Sequence, residues 1–248
     1  MRRSDDLTQL LERWEYDENR TVRRIRAADG REVLQVRLPL GIEQYEINGR
    51  PDGKKPEGHE SWLRSYQERA QHLGAEFILN QKDCERLQSE GILYYYRYLL
   101  FFQIGDYTLC ARDTARNLKL LDFVSKHAAK REAAEGLEQY RPYILRMNVM
   151  ARTLRKVKEK GDMRGAIRKL EEGIEAIKSL PPIHDNAIFD FERDRSIKSI
   201  EDLIRQFRSQ LPVTKRDLLT KQMEEAISRE DYETAATLRD KLKKITRK

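Results

Sequence analysis

Residues 92–104 read Ile-Leu-Tyr-Tyr-Tyr-Arg-Tyr-Leu-Leu-Phe-Phe-Gln-Ile, so eleven of these thirteen residues are apolar or aromatic. A segment that is apolar on nearly every side is typical of a helix buried against several neighbours. Upstream, Asn80-Gln81-Lys82-Asp83 has the pattern of a capped helix start. Downstream, residues 106–127 have the periodicity of a partner helix. We therefore place the centre of the fold in this segment.

Helical patterns continue on both sides of this centre. Residues 136–160 and 162–180 are predicted helices, and Pro181-Pro182 stops the second one because proline cannot continue a helix. Upstream, a spacing close to one helical turn predicts one more helix face, formed by Trp62, Tyr66, Leu73 and Phe77. The middle of the chain is therefore a helical body.

The body ends in a stretch with a weaker pattern. Residues 183–195 have mixed charge and little periodicity, which predicts an ordered loop or linker. Ser196 or Ser199 is then the candidate N-cap of a last body helix, and Pro212 ends it.

The first 58 residues have strand-like patterns instead. After a short amphipathic helix over 5–14, Asp29-Gly30 separates segments 21–27 and 32–38, and this dipeptide suits a tight hairpin turn. Residues 42–47 form a third predicted strand. Alternation places four leucine and valine side chains on one face of the second strand: Leu34, Val36, Leu38 and Leu40. A turn-rich segment over 48–58 marks a domain boundary.

The predicted fold class is therefore mainly α, with a small N-terminal β-meander, a helical-hairpin body and a C-terminal helical hairpin. We expect three domains, at 1–58, 59–211 and 212–248. Charged residues make up 37% of the 248 residues and apolar residues 39%, a balance typical of long amphipathic helices. It favours such a protein over a compact, core-rich enzyme fold.

Neither the cysteines nor the N-terminus predicts a secreted or metal-binding protein. Cys84 and Cys110 lie in predicted helices without a Cys-x-x-Cys pair or a Cys/His cluster, so we expect no disulfide, no metal and no cofactor. Residues 1–6 lead into an amphipathic stretch rather than an apolar signal core. No apolar run approaches the roughly 18–20 residues that span a membrane. We expect a cytoplasmic protein.

One pattern occurs three times along the chain. An Asp is followed by a large apolar residue and, four positions after the Asp, by a small residue, as at Asp106, Asp162 and Asp231. We predict that each Asp caps the second helix of a hairpin, that the large residue fills the corner, and that the small residue lets the helices approach. The unequal spacing leaves two interpretations open: stacked hairpins, or ordinary antiparallel helices that each need a cap.

The third of these corners belongs to a hairpin over 214–245. Thr214-Lys215-Arg216-Asp217 has the Thr-x-x-Asp pattern of a helix start. In the return helix, apolar residues spaced by three, four and three positions form a coiled-coil seam, at Ala235, Leu238, Leu242 and Ile245. Two short helices with one mutual contact cannot cover both apolar stripes. The rest of the chain, a second copy or another protein must cover what remains.

The same hairpin resembles a known family motif. Leu219-x-x-x-Met223-x-x-Ala226-x-x-x-x-Asp231-Tyr232-Glu233-x-Ala235-Ala236-x-Leu238-Arg239-Asp240-x-Leu242 is similar to the UVR motif. That family's motif is a helical hairpin at the ends of two proteins of the bacterial excision nuclease, where it docks one of them on another, and it also occurs in Clp-type unfoldases and their modulators. The resemblance implies a partner-binding role for eight residues: Leu219, Met223, Ala226, Tyr232, Ala235, Ala236, Leu238 and Leu242.

No motif for catalysis accompanies the hairpin. The chain has no Gly-x-x-x-x-Gly-Lys-Ser/Thr phosphate loop, no His-Glu-x-x-His and no Gly-x-Ser-x-Gly. His184-Asp185 could be an oriented acid–base pair, although a loop His beside an Asp is usually incidental. We therefore predict a non-enzymatic adaptor or scaffold, linked to DNA repair or to stress proteolysis. An enzyme of unfamiliar type remains the weakest alternative.

A nucleic-acid-binding protein is the alternative function. Residues 141–178 hold eleven Lys or Arg against five acidic residues, and we single out a set of these as phosphate contacts: Arg152, Arg155, Lys156, Lys158, Arg164, Arg168 and Lys169. The aromatic residues between Tyr94 and Tyr107 could stack bases, but core packing is the favoured interpretation. The arginines of the N-terminal hairpin could contact phosphate, but a salt-bridged face is favoured there.

Overall fold

The computed structural model describes residues 6–212 and 215–246. It is mainly helical, with a three-stranded antiparallel sheet near the N-terminus and helices up to the C-terminus, which confirms the predicted fold class. The chain divides into two compact units, Met1–Ile204 and Arg205–Lys248. Among the residues that the structure describes, no helix combines the length and the apolar character that crossing a bilayer requires.

The N-terminal elements follow the predicted order. Helix α1 spans Thr8–Arg13, shorter than predicted, and Asp5 lies outside the described residues. Strands β1 (Val22–Arg26), β2 (Glu32–Leu38) and β3 (Gly41–Glu46) pair in sequence order. Of the pair Asp29-Gly30, only Gly30 has a positive φ, and its N–H donates to the Ala27 carbonyl at 2.9 Å. This hairpin turn therefore needs left-handed backbone at one position, which glycine supplies without strain.

Both faces of β2 are covered, so the predicted alternation holds only in part. Leu34 on one face is buried, and Val33 on the opposite face is buried as well. Arg37 is also buried, and its Nε–H donates to the Trp14 carbonyl at 2.7 Å. Leu40 is 92% exposed, because it lies in the turn between β2 and β3 rather than in the strand. The prediction that Leu40 shares a strand face with Leu34 is therefore wrong.

Nine further α-helices follow the sheet in the described part of the chain. The first four after the sheet are α2 (Trp62–Leu73), α3 (Gln81–Gln103), α4 (Tyr107–His127) and α5 (Arg131–Glu138). The next three are α6 (Arg141–Lys160), α7 (Met163–Lys178) and α8 (Ala187–Gln210). The last two are α9 (Lys215–Ser228) and α10 (Tyr232–Thr246). The predicted capping box at the start of α3 is confirmed, with Asn80 and Asp83 each accepting from the other's backbone N–H.

Two predictions about helix boundaries are wrong. The predicted helix over 136–160 is two helices, α5 and α6, and Pro142 explains the break because proline is tolerated only in the first turn of a helix. Residues 183–195 are not a linker, because α8 begins at Ala187, after Asn186 accepts the Phe189 N–H at 2.9 Å. Ser196 lies inside this helix and is fully buried, so it is no cap.

The central helix α3 packs against α4, as predicted, but it is not buried on all sides. Tyr94, Tyr98 and Phe101 are buried, whereas Ile92 and Tyr96 are 45% and 50% exposed. The prediction of burial nearly all round is therefore wrong, and α3 has one core-facing side. Aromatic residues on that side account for much of the buried area.

A buried ion pair joins α3 to α4. Arg97 and Asp113 are each 1% exposed, with Nε–H and an Nη–H of the arginine donating to the two carboxylate oxygens at 2.7 and 3.0 Å. The other Nη of Arg97 donates to the carbonyls of Glu46 and Gly49, at 2.6 and 2.9 Å, where the sheet ends. This pair therefore fixes α3 and α4 relative to the sheet as well as to each other.

Glu90 is a second buried charge of α3. Its carboxylate is fully buried and accepts the backbone N–H groups of Trp62 and Leu63, at 2.7 and 3.1 Å. It also pairs with Arg50 at 3.1 Å and with Arg116. An anion at the first turn of a helix is stabilised by the unpaired N–H groups there. Glu90 therefore orients α2 on the rest of the body.

Candidate interaction surfaces

The three predicted Asp caps are confirmed. In each corner, one carboxylate oxygen accepts the backbone N–H three residues later, and these N–H groups belong to Leu109, Gly165 and Thr234, at 3.1, 2.8 and 3.0 Å respectively. Each of these bonds satisfies one of the donors that a helix leaves free at its N-terminus. Bonds from the side chain and the backbone of Thr234 lower the pKa of Asp231.

The residue before each Asp has left-handed backbone. It is a glycine in the two corners of the body, Gly105 and Gly161, and Glu230 in the C-terminal corner, with φ values of 71°, 67° and 58°. A side chain in this conformation brings its Cβ close to the following carbonyl oxygen. The C-terminal corner therefore has the same left-handed position as the other two, with a less suitable residue in it.

The C-terminal hairpin consists of α9 and α10, which pack against each other. The Glu230 N–H donates to the Ile227 carbonyl at 3.0 Å, and the Asp231 N–H donates to the Ala226 carbonyl at 2.9 Å. These two bonds are those of a Schellman-type helix end. Thr214, the predicted start of this hairpin, lies outside the described residues.

The eight predicted partner-binding residues fall into three groups by exposure. Ala226, Ala235 and Leu238 are buried, at 7%, 8% and 8% exposure. Four others are half-buried: Leu219, Met223, Ala236 and Leu242. Tyr232 alone of the eight is exposed, at 68%. It was predicted to fill the corner, and that prediction is wrong, because its ring is mostly in solvent.

Two further apolar residues of α9, which are outside the predicted partner-binding set, are exposed. Leu218 is 51% and Ile227 is 48% exposed. Nine positions separate them, so they lie about half a turn apart, on opposite flanks of α9. Each stands directly beside a residue of the motif, Leu219 or Ala226. In the sequence, an apolar residue directly next to a motif position is the signal that could have predicted these two exposed side chains.

Ile227 and Tyr232 stand on either side of the reversal at residues 229–231. We call these two residues the exposed corner. Both are large and apolar or aromatic, and about half or more of each side chain is in solvent. Neither of the other two corners leaves its large apolar residue so exposed, since Tyr107 and Met163 are half-buried.

The predicted basic set lies on α6 and α7, which pack against each other. Six of its members are exposed: Arg152, Lys156, Lys158, Arg164, Arg168 and Lys169. Arg155 is half-buried and lies 3.8 Å from Glu159, and Lys169 pairs with Glu172 at 2.6 Å. Arg152, Lys156, Arg164 and Arg168 make no ion pair with any carboxylate in the described part of the chain. Lys158 makes none either, although its Nζ donates to the Gly105 carbonyl at 3.4 Å. These five side chains are not neutralised by a carboxylate among the described residues.

The other candidate residues are the His184-Asp185 pair and the arginines of the N-terminal hairpin. His184 and Asp185 pair at 2.8 Å, with both side chains about 90% exposed. In the N-terminal hairpin, Arg24 pairs with Glu32 at 2.6 Å and Arg31 pairs with Asp29 at 2.6 Å, which fits the salt-bridged interpretation.

Comparison with known proteins identifies the hairpin. The family model of the UvrB/uvrC motif, called UVR, matches residues 215–248, so the chain carries a UVR motif over α9 and α10. The motif is found in DNA repair proteins. No curated protein and no solved structure matches the chain.

Proposed function

We propose that this protein is a non-enzymatic, cytoplasmic adaptor that docks on a partner protein through its C-terminal hairpin. The proposed partner carries a UVR-type helical hairpin of its own and belongs to a bacterial DNA-repair or stress-proteolysis assembly. A second copy of this chain is the other source of such a hairpin. The observation that carries the proposal is the exposed corner, Ile227 and Tyr232, within a UVR motif.

The energetics of the hairpin support a docking role. Helices of 14 and 15 residues are marginal on their own in water. Two of the three buried residues that the motif contributes are alanines, Ala226 and Ala235, and the free energy of burial scales with the apolar area removed from water. A second hairpin that covers the exposed corner adds the larger side chains to the buried surface. Docking would therefore stabilise the hairpin as well as hold the partner.

The exposed corner also has the composition of a binding hot spot. Tyrosine is enriched among the residues that dominate interface energies, and truncation of such a residue costs about 2 kcal/mol or more. That loss corresponds to roughly a thirtyfold weaker complex. Tyr232 should therefore contribute far more to binding than to the folding of the free protein.

The test is a binding measurement on the full chain. The UvrB protein of the same organism, which carries the UVR motif, is immobilised, and association of the wild type is compared with that of Tyr232→Asp and Ile227→Asp. Self-association is followed in parallel by sedimentation. We expect the wild type to form a complex with UvrB or with itself. We expect each substitution to weaken that complex by about tenfold or more.

Leu40→Asp is the matched control. It also replaces an exposed apolar residue by an acid, but Leu40 lies in the turn between β2 and β3. This variant should bind like the wild type. A wild type that neither binds UvrB nor self-associates would overturn the proposal, and so would corner variants that bind as well as Leu40→Asp.

The basic helix pair supports a second candidate, binding of nucleic acid. The observation that favours it is the group of exposed cations on α6 and α7 without a carboxylate partner among the described residues, which includes five members of the predicted set: Arg152, Lys156, Lys158, Arg164 and Arg168. Phosphate contacts release counterions, so affinity for a single strand should fall steeply from about 50 mM to about 200 mM salt. Arg152→Glu with Lys156→Glu should abolish binding, whereas Lys169→Glu should change it less because Glu172 already pairs with Lys169. Undetectable binding at the lower salt concentration would remove this candidate.

A further inference from the structure

A cavity of about 540 Å³ lies within the first unit, in the helical body. Residues of α3, α4, α5, α6 and α8 line it, so segments far apart in sequence converge there. The volume falls in the range of about 300–1,000 Å³ that is usual for small-molecule sites. We call this space the body cavity.

The inner wall of the body cavity is mainly apolar. Four aliphatic residues of the wall are buried in the core: Leu120, Leu121, Leu137 and Ile144. Tyrosine rings continue the wall, with the Tyr95 centroid 5.6 Å from Tyr98 and 5.8 Å from Tyr143. Contact with such a wall removes the apolar surface of a ligand from water, which stabilises the complex. The wall therefore favours a ligand with an apolar body.

The body cavity opens to solvent, because several residues of its wall are themselves exposed. Ile92, Tyr96 and Tyr140 are 45%, 50% and 43% exposed. Gln88 and Arg195 also line the cavity and are exposed. A small molecule can therefore enter from solvent, and it passes a cationic side chain where the cavity opens.

Two arginines line the body cavity, and neither makes an ion pair with a carboxylate in the described part of the chain. The Arg195 guanidinium carbon lies 5.9 Å from the centre of the Phe191 ring. Arg146 is 7% exposed, and its guanidinium carbon lies 4.7 Å from the centre of the Tyr143 ring. Charged side chains are seldom buried without a partner. Because the Arg146 Nε is closed off from the cavity space, we assign Arg146 an electrostatic contribution and no bond through that atom.

The other polar residues of the wall do not reverse this charge. Glu192 is the acidic residue that lines the cavity in the described part of the chain, and it is half-buried. The two arginines outnumber it, so the wall favours an anion over a cation. Asn117 already has partners, since its Nδ2 donates to the Gly91 carbonyl at 2.9 Å and its Oδ1 accepts from Arg116 at 3.0 Å.

We infer that the body cavity binds an organic anion with an apolar body, whose carboxylate or similar group pairs with Arg195 at the opening. The apolar part lies against the leucine and tyrosine side chains and supplies most of the affinity. The charge then selects among ligands of the same shape. The site is separate from the docking hairpin, since its lining residues lie between Gln88 and Arg195. It gives the body a ligand-binding role in addition to the proposed adaptor role.

The test is calorimetric titration of the full chain with three ligands of similar shape and different charge: naphthoate, naphthalenemethanol and naphthylmethylamine, which is a cation at neutral pH. We expect naphthoate to bind with a Kd below about 1 mM and about fivefold or more tighter than the alcohol, and the amine to bind most weakly. The uncharged alcohol is the more apolar of the first two ligands. Tighter binding of the anion would therefore reflect the charge of the wall.

Two further anions separate the parts of the ligand. Acetate carries the charge without an apolar body and should give no heat. Decanoate replaces the aromatic body by an aliphatic one, so its affinity relative to naphthoate distinguishes an aliphatic from an aromatic ligand. Binding of either anion below about 1 mM supports the site.

Arg195→Met removes the charge at the opening and leaves an apolar side chain, and Arg195 is exposed, so the variant should fold like the wild type. It should weaken naphthoate binding by about threefold or more and leave the affinity for naphthalenemethanol unchanged. Lys198→Met is the matched control, because Lys198 is an exposed cation of the same helix outside the described cavity wall. It should bind naphthoate like the wild type. Tyr96→Ala should weaken the binding of both ligands, because it removes part of the wall that they share.

Tyr232→Ala separates this inference from the proposed docking function. It should lose the protein partner and keep naphthoate, whereas Arg195→Met should keep the partner. Absence of heat with both naphthoate and decanoate would overturn the anion site and leave docking untouched. An alcohol or amine that binds as tightly as naphthoate would also overturn it. So would equal naphthoate binding by Arg195→Met and Lys198→Met, since the anion would then lie elsewhere.

Discussion

The corner between α3 and α4 and the corner between α9 and α10 are built by the same local chemistry and end in opposite surroundings. In both, an Asp caps the second helix and the preceding residue has left-handed backbone. In the body corner, the Tyr107 ring packs 5.5 Å from Phe102. In the C-terminal corner, Tyr232 is 68% exposed. Short-range hydrogen bonds therefore determine the conformation of the turn. Packing against other elements determines whether the large residue in the corner is buried.

The body corner should depend most on the buried ion pair between its two helices. Arg97→Met leaves the buried Asp113 with Arg112 as its remaining partner, at 2.9 Å, and breaking a buried pair costs up to about 3–5 kcal/mol. We expect a decrease of that size in the free energy of unfolding, measured by urea denaturation. Arg24→Met should cost less than about 1 kcal/mol, because the pair with Glu32 is partly exposed. Equal losses for the two variants would contradict the special role of the buried pair.

Truncation of the tyrosine in each of the two corners should have different effects on the free energy of unfolding. Tyr107→Ala removes a half-buried ring from the core and should lower the free energy of unfolding by roughly 1–3 kcal/mol. Tyr232→Ala should change it by less than about 0.5 kcal/mol, because little of that ring is buried in the free protein. Thermal melts of both variants provide the measurement. A larger loss for Tyr232→Ala would mean that its ring is covered within the chain.

Substitutions at the left-handed position should change stability in opposite directions in the two corners. Gly105→Ala introduces a Cβ where φ is 71° and should destabilise the body by about 1 kcal/mol. Glu230→Gly relieves the same strain in the hairpin and should stabilise it by up to about 1 kcal/mol. Amide exchange along α9 and α10 would detect the gain. No change in exchange would show that Glu230 is not strained.

The smallest expected effect concerns pH. The pKa of Asp231 is lowered in the folded hairpin by its bonds from Thr234, so its contribution to stability is complete above the unfolded pKa of about 3.9 and is lost as pH falls through the folded value. The Thr234 amide resonance should therefore shift below about pH 4 in the full chain. Asp231→Asn keeps a capping oxygen without a titrating group, and its Thr234 resonance should not respond to this titration.

The features that the sequence predicted correctly are local ones. The capping box at Asn80, the Asp caps of the three corners and the meander of the sheet all depend on bonds between residues a few positions apart. The start of α8 was missed because its buried face includes Ser196, which weakens the apolar periodicity. The break before α6 has a local signal in Pro142 that the wider helical pattern obscured.

Features that depend on distant neighbours were not predicted. Charged side chains are usually exposed, yet Arg97 and Glu90 are buried because charged partners from other elements neutralise them. The predicted docking set lacks Ile227 because the pattern of the UVR motif does not include its position. The cavity of about 540 Å³ in the body is lined by residues of α3, α4, α5, α6 and α8, and no spacing within one segment reveals that convergence. The UVR motif was recognised because its apolar, small and acidic positions form one continuous pattern.

Hydrogen–deuterium exchange of the full chain, free and bound to UvrB, tests the docking role of the exposed corner most directly. We expect binding to slow exchange at residues 226–233 and to leave the amides of α6 and α7 unchanged. Slower exchange confined to α6 and α7, with the corner unaffected in a fully formed complex, would contradict it.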